Sequence, residues 1–166
     1  MTSATIEIAE GKASALIAPA RGRHSRRVAA GFLLAAALLA SRLLSDDHLN
    51  PAGISLHLAC YLYFTYIVFH LTGLHLEKDP VCPYGPRESA VGTLIPFSYI
   101  FWNFFWTSDI LARQGTSRPV ALGAGIVTGL ASVIAFPDNL DKLDSLASAG
   151  AFFILFATAG YIRSRI

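Results

Sequence analysis

Five residues in one apolar stretch have the spacing and the chemistry of a ligand pocket. Tyr99, Trp102, Asn103 and Trp106 follow an i, i+3, i+4, i+7 pattern, and Asp109 continues it, so a helix would present them on one face. Such a face suits an apolar ligand with one polar end: indole rings stabilise a positive charge and a carboxylate transfers a proton. Asp109 is therefore the candidate catalytic residue. The alternative is an aromatic belt with an interfacial carboxylate.

Two histidines in another apolar stretch are candidate ligands of a metal macrocycle. His57 and His70 indicate a binding site for haem or chlorophyll, because imidazole ligates the central metal of such groups. They are 13 positions apart, which separates them by about 140° around a helix. They therefore cannot share one ligand. The alternative is that both are interface residues bonded to backbone or lipid headgroups.

The other polar residues form no recognisable metal or catalytic motif. Cys60 and Cys82 are the only two cysteines, and no Cys-x-x-Cys pair is present, so a structural zinc site lacks its ligands. Phosphate-binding loops, dinucleotide fingerprints and nucleophile elbows are also absent from the sequence. We predict no metal site.

The elements around these residues are those of a membrane protein. Hydrophobic residues make up 54% of the 166-residue chain, charged residues only 14%, and mean hydropathy is +0.51. A typical soluble domain carries roughly 25% charged residues. This composition argues against a soluble enzyme, and the net charge of +2 gives no reason to expect a nucleic-acid partner.

The hydropathy pattern predicts an all-α bundle of about five transmembrane helices. The apolar segments cover residues 28–45, 52–74, 90–111, 119–136 and 146–162, each near the ~20 residues that cross a bilayer. Residues 1–27 form a flexible basic arm, and residues 28–166 a single transmembrane domain. In the alternative interpretation, the basic cluster at residues 21–27 and the apolar residues 28–40 are a cleaved signal peptide, which would leave four spans.

Positive charge favours a cytoplasmic N-terminus, because this orientation places eight Lys and Arg residues on the inner side and four on the outer side, with Arg42 near the outer side. The last two segments, taken alone, prefer the reverse orientation. The acidic turn that connects them, residues 137–144, lies between basic residues at 113–118 and at 163–165. Five spans cannot satisfy both preferences.

Two glycines in the fourth segment predict a helix-packing surface. Gly125 and Gly129 form a small-xxx-small pattern, which lets helix backbones approach closely. The sequence does not indicate whether the partner helix belongs to the same chain.

These observations support two functional hypotheses. The first is a non-catalytic integral membrane subunit or accessory protein of a larger complex, in contact with lipid, pigment or haem and with other membrane subunits or further copies of itself. The second is a small membrane-embedded enzyme that acts on a lipid or isoprenoid at the Tyr99 to Asp109 face. A transporter is the weaker third alternative, because charge within the spans is sparse.

Overall fold

The computed structural model describes residues 26–44, 51–135 and 142–166. These residues form six helices and no strand, which confirms the predicted all-α fold. The helices are α1 (Arg26–Leu44), α2 (Pro51–Lys78), α3 (Pro86–Leu94), α4 (Pro96–Arg113), α5 (Arg118–Ala135) and α6 (Lys142–Arg165). The predicted arm at residues 1–27 lies outside the described residues, except for its last two, which belong to α1.

Four helices in the described part of the chain are long and apolar enough to cross a membrane: α1, α2, α5 and the Leu146–Arg165 part of α6. The chain therefore has the helices of a multi-pass membrane protein. The predicted third span, residues 90–111, differs from the other four. It is divided into the nine-residue α3 and the 18-residue α4, and tyrosine, tryptophan and asparagine lower the hydropathy of α4.

The break between α3 and α4 follows from Pro96. A proline disfavours helical geometry at the residue before it, and Ile95 accordingly adopts an extended conformation, with φ −78° and ψ 118°. The Ile95 amide closes α3 by donating to Val91 O, and Pro96 opens α4. Ser98 Oγ bridges the break by donating to Gly92 O at 2.9 Å.

Helix α3 runs antiparallel to α2. Its first residue, Pro86, packs beside Gly73 near the C-terminal end of α2. Near its last turn, Thr93 O accepts a hydrogen bond of 2.6 Å from Tyr61 OH, three turns earlier in α2. Nine residues rise only about 13 Å, against ~30 Å for the hydrocarbon core, so α3 is too short to cross a membrane.

Helix α4 then returns alongside α2 in the parallel direction. The rings of Tyr61 and Tyr99 lie 5.2 Å apart, and Trp106 Nε1 donates to Thr72 Oγ1 at 2.8 Å. Together α3 and α4 form a hairpin that begins and ends at one end of the bundle. We call it the re-entrant hairpin.

The remaining helices alternate in direction. α1 is antiparallel to α2, with Arg27 bonded to His70 and Arg42 packed on Gly53. α5 is antiparallel to α4, and α6 is antiparallel to α5, since Ser148 Oγ donates to Ala135 O. Consequently α1 begins and α6 ends at the end where the re-entrant hairpin opens. We call this the proximal end, and the opposite one the distal end.

The core between α1, α2 and α6 is aromatic. Phe64, Phe152 and Phe156 are fully buried, and their rings pack with centroids about 6 Å apart. Gly31 lets α1 reach this cluster, because a Cβ there would lie 2.5 Å from Phe156 Cδ1.

Candidate functional site

The predicted Tyr99 face of α4 points into the bundle. Tyr99, Asn103 and Trp106 are at most 1% exposed, whereas Phe101 and Phe105, off this face, are 67% and 60% exposed. α4 therefore turns Tyr99, Asn103 and Trp106 toward α2 and α5, and Phe101 and Phe105 outward. This orientation is the one expected for polar residues in a membrane helix.

Two side chains of this face are bonded to neighbouring helices. Asn103 Nδ2 donates to Ser132 Oγ of α5 at 2.9 Å, and Trp106 Nε1 donates to Thr72 Oγ1 of α2. Both hydroxyls also donate to carbonyl oxygens of their own helices, so each completes a chain of two bonds. The two bonds fix α4 between α2 and α5.

Other polar atoms of α4 are buried without a hydrogen-bond partner among the described residues. They are Tyr99 OH, Asn103 Oδ1, Thr107 Oγ1 and Trp102 Nε1. Leaving such a group unpaired costs about 1–3 kcal/mol. A donor and an acceptor within one turn of α4, Tyr99 OH and Asn103 Oδ1, could bind a small polar group.

Trp102 lies apart from the other residues of the face, against α3, the other arm of the re-entrant hairpin. Its indole ring covers Gly92 of α3 so closely that a Cβ at that position would overlap it. The Tyr84 ring meets the indole edge to face at 5.5 Å. Trp102 therefore joins the two arms of the hairpin.

Asp109, the candidate catalytic residue, belongs to a group of charged and polar side chains at the proximal end. Its Oδ2 accepts hydrogen bonds from Tyr84 OH at 2.9 Å and from Arg113 Nε at 2.7 Å. Arg113 Nη1 also contacts Asp79 Oδ2 at 3.1 Å, and His75 Nε2 lies 3.7 Å from that oxygen. We call these five residues the end cluster.

The electrostatics of the end cluster favour a paired, charged state. The hydrogen bond from Arg113 holds the pKa of Asp79 below its usual range. Burial, and then the hydrogen bond to Asp109, raise the pKa of Tyr84 above its usual range, so this phenol stays protonated and keeps donating. The cluster joins the end of α2, the following loop and the end of α4.

The two candidate macrocycle ligands contact different helices. His57 Nδ1 lies 3.3 Å from Ser148 Oγ of α6, with its ring edge-on to Phe152. His70 Nε2 accepts from Arg27 Nη1 of α1 at 2.5 Å. An imidazole nitrogen bonded to a guanidinium does not offer its lone pair to a metal. No group of three or more His, Cys, Asp or Glu that could hold a metal occurs within the described ranges.

The predicted packing glycines lie against α4 of the same chain. A Cβ at Gly125 would overlap Ser108 Oγ and come within 2.8 Å of Phe104 O, and one at Gly129 would lie 3.3 Å from Phe104 Cβ. Gly123, in contrast, has open space around it.

Sequence reasoning missed Tyr84 and the pairing of Arg27 with His70. The i, i+4 spacing of Asp109 and Arg113 did carry a signal, since such pairs meet on a helix. Nothing in the proline-rich loop between α2 and α3 indicated that its Tyr84 would reach Asp109 of α4. Comparisons with protein-family models, with curated proteins and with solved structures found no match.

Proposed function

We propose that this chain is a non-catalytic integral membrane subunit or accessory protein with both termini in the cytoplasm. The observation that carries the proposal is the state of Asp109. Its carboxylate lies between Arg113 and Tyr84, and the same arginine contacts Asp79. A carboxylate held in this way joins the end of α4 to the loop after α2, whereas a general acid must be free to exchange a proton with a substrate.

The distribution of positive charge supports the proposed orientation. Ten Lys and Arg residues occur from residue 26 onward, and only Arg42 and Lys142 lie at the distal end. The other eight lie at the proximal end: Arg26, Arg27, Lys78, Arg87, Arg113, Arg118, Arg163 and Arg165. Lys and Arg mark the cytoplasmic side, so the proximal end faces the cytoplasm.

The re-entrant hairpin removes the conflict between the two halves of the sequence. With five spans, the N-terminal and C-terminal basic segments fall on opposite sides. With four spans and a hairpin that returns to its starting side, they fall on the same side, and α5 ends and α6 begins on the opposite side. The positive-inside preference of both halves is then satisfied.

The subunit proposal is tested by native mass spectrometry of the tagged chain, extracted from its own membranes in mild detergent. We expect a particle heavier than the 17.8 kDa chain by at least one stoichiometric protein subunit. An absorption spectrum of the same particle tests for haem or chlorophyll at the two histidines. A lone 17.8 kDa chain with no second subunit would overturn the proposal.

One observation favours the alternative, a membrane-embedded enzyme for a lipid or isoprenoid. Tyr99 OH and Asn103 Oδ1 are buried without partners in the described part of the chain, so they could hold the polar end of such a molecule. Tyr99→Phe and Asn103→Ala should then reduce the lipid or isoprenoid retained on purification. The exposed Phe101→Ala and Phe105→Ala are matched controls, and equal retention in all four variants would exclude this site.

A further inference from the structure

Four arginines lie at the proximal end of the bundle, two where α1 begins and two where α6 ends. Gly160 of α6 packs against Val28 of α1, since a Cβ at Gly160 would lie 3.3 Å from Val28 Cγ1. Arg26 and Arg27 directly precede this contact, and Arg163 and Arg165 follow it by one turn. Arg26 and Arg165 are exposed, and Arg27 and Arg163 half-buried. We call these four residues the arginine edge.

The arginine edge has no carboxylate partner among the described residues. The three ion pairs in the described part of the chain all lie within the end cluster. Arg27 instead donates to His70 Nε2 and lies 5.7 Å from the centre of the Tyr66 ring. Arg165 similarly donates to Tyr161 OH and lies 5.4 Å from that ring centre. Both guanidinium groups are held in place by uncharged groups, and their positive charge is not neutralised.

The surroundings of the edge are those of a membrane interface. Tyr66 and Tyr161 are 43% and 38% exposed, and tyrosine is enriched at the headgroup level. Toward the distal end the surface becomes apolar, with Leu33 of α1 72% exposed and Leu62 of α2 49% exposed. A ligand that spans both zones has an anionic head and an apolar tail.

We propose that the arginine edge binds the headgroup phosphate of an anionic phospholipid. Guanidinium groups bind phosphate through paired hydrogen bonds, and the anionic lipids of the cytoplasmic leaflet attract basic residues beside a spanning helix. The acyl chains lie along the apolar surface below Tyr66. A free phosphate ion would gain nothing from that surface, so the phospholipid is the ligand. Which leaflet supplies the lipid depends on the orientation proposed above, whereas the binding itself does not.

The test uses the full chain in nanodiscs of phosphatidylcholine, with and without phosphatidylglycerol. We expect phosphatidylglycerol to raise the unfolding temperature and to be enriched in the lipid retained after detergent extraction. Arg27→Gln should weaken its binding about fivefold, from the typical contribution of one basic residue near an anionic surface. Arg118→Gln is the matched control, because it removes an exposed arginine at the same end but outside the edge.

Further arms separate a specific site from general charge attraction. Arg165→Gln gives a second variant of the edge if Arg27→Gln does not fold. Inorganic phosphate added to phosphatidylcholine nanodiscs should have no effect on the unfolding temperature. The proposal is overturned if phosphatidylglycerol has no effect on the native chain, if Arg118→Gln loses as much binding as Arg27→Gln, or if inorganic phosphate reproduces the stabilisation.

Discussion

At the scale of single residues, most groups that suggested chemistry are engaged in contacts between helices. Asn103 and Trp106 bond to α5 and α2, and Asp109 is paired with Arg113 and Tyr84. The sequence was enough to predict that these residues share one face of a helix. Their partners could not, because Thr72, Ser132 and Tyr84 come from segments whose approach depends on the whole bundle.

Asp109→Asn should be nearly silent for stability. Asparagine keeps an oxygen for Tyr84 OH but loses the charge opposite Arg113. The Asp109 side chain is 36% exposed, and such ion pairs contribute about 0–1 kcal/mol. We expect the free energy of unfolding, measured by thermal unfolding in detergent, to change by no more than about 1 kcal/mol. Tyr84→Phe is the comparison. A loss several times larger would show that the end cluster is a main stabilising element.

The contribution of Asp79 should depend on pH. Its pKa in the folded protein lies below the usual value of about 3.9, so the stabilisation is fully present above that value. It is lost as pH falls through the lower, folded pKa. In a His75→Gln background, which removes the titrating imidazole 3.7 Å from Asp79, we expect the difference in unfolding temperature with and without Asp79→Asn to stay constant from about pH 7 to 5 and to close below about pH 4. A difference that grows in acid would contradict the assigned pairing with Arg113.

At the scale of helices, the sequence predicted four of the five spans as they occur, because uninterrupted apolar runs of sufficient length leave few alternatives. It predicted the third segment as one span, although Pro96 lies near its start. The proline marks a break, but the direction of the chain after the break depends on contacts such as that of Trp102 with Gly92. Local sequence does not encode that direction.

Three glycines of α5 should respond differently to alanine. Gly123→Ala should be neutral or stabilise by about 0.5–1 kcal/mol, because alanine is the better helix former and the position is open. Gly129→Ala should have a small effect, since its nearest side-chain contact is Phe104 Cβ at 3.3 Å. Gly125→Ala should destabilise by about 1–3 kcal/mol, because Ser108 and the α4 backbone leave no room.

The measurement for this series is thermal unfolding in one detergent. If Gly123→Ala and Gly125→Ala had equal effects, the close approach of α4 and α5 would be wrong.

At the scale of the whole molecule, four spans and one re-entrant hairpin give an even number of crossings. Four parts of the chain therefore lie on the same side: the start of α1, the loop after α2, the loop after α4 and the end of α6. The native cysteines can report this arrangement, since Cys82 lies half-buried in the loop after α2 and Cys60 is buried.

A membrane-impermeant maleimide should label Cys82 only from the cytoplasmic side. Cys82→Ser should abolish labelling, because Cys60 is enclosed in the bundle. Leu44→Cys in the Cys82→Ser background places a thiol at an 89% exposed position at the end of α1, and it should react only from the opposite side. Labelling of both positions from one side would exclude the four-span topology.

The re-entrant hairpin also has a consequence for the order of events during synthesis. When α4 leaves the ribosome, Thr72 has already been made, but Ser132, the partner of Asn103, is still 29 residues away. An unpaired amide in hydrocarbon is costly, so α4 gains its full set of bonds only after α5 has emerged. In the orientation proposed above, both ends of the hairpin stay on the ribosome's side of the membrane, so α4 can remain there until α5 is available to bond with it. We expect membrane-inserted chains that are truncated before Ser132 and released from the ribosome to expose the hairpin to a protease added on the cytoplasmic side, and chains that include all of α5 to protect it.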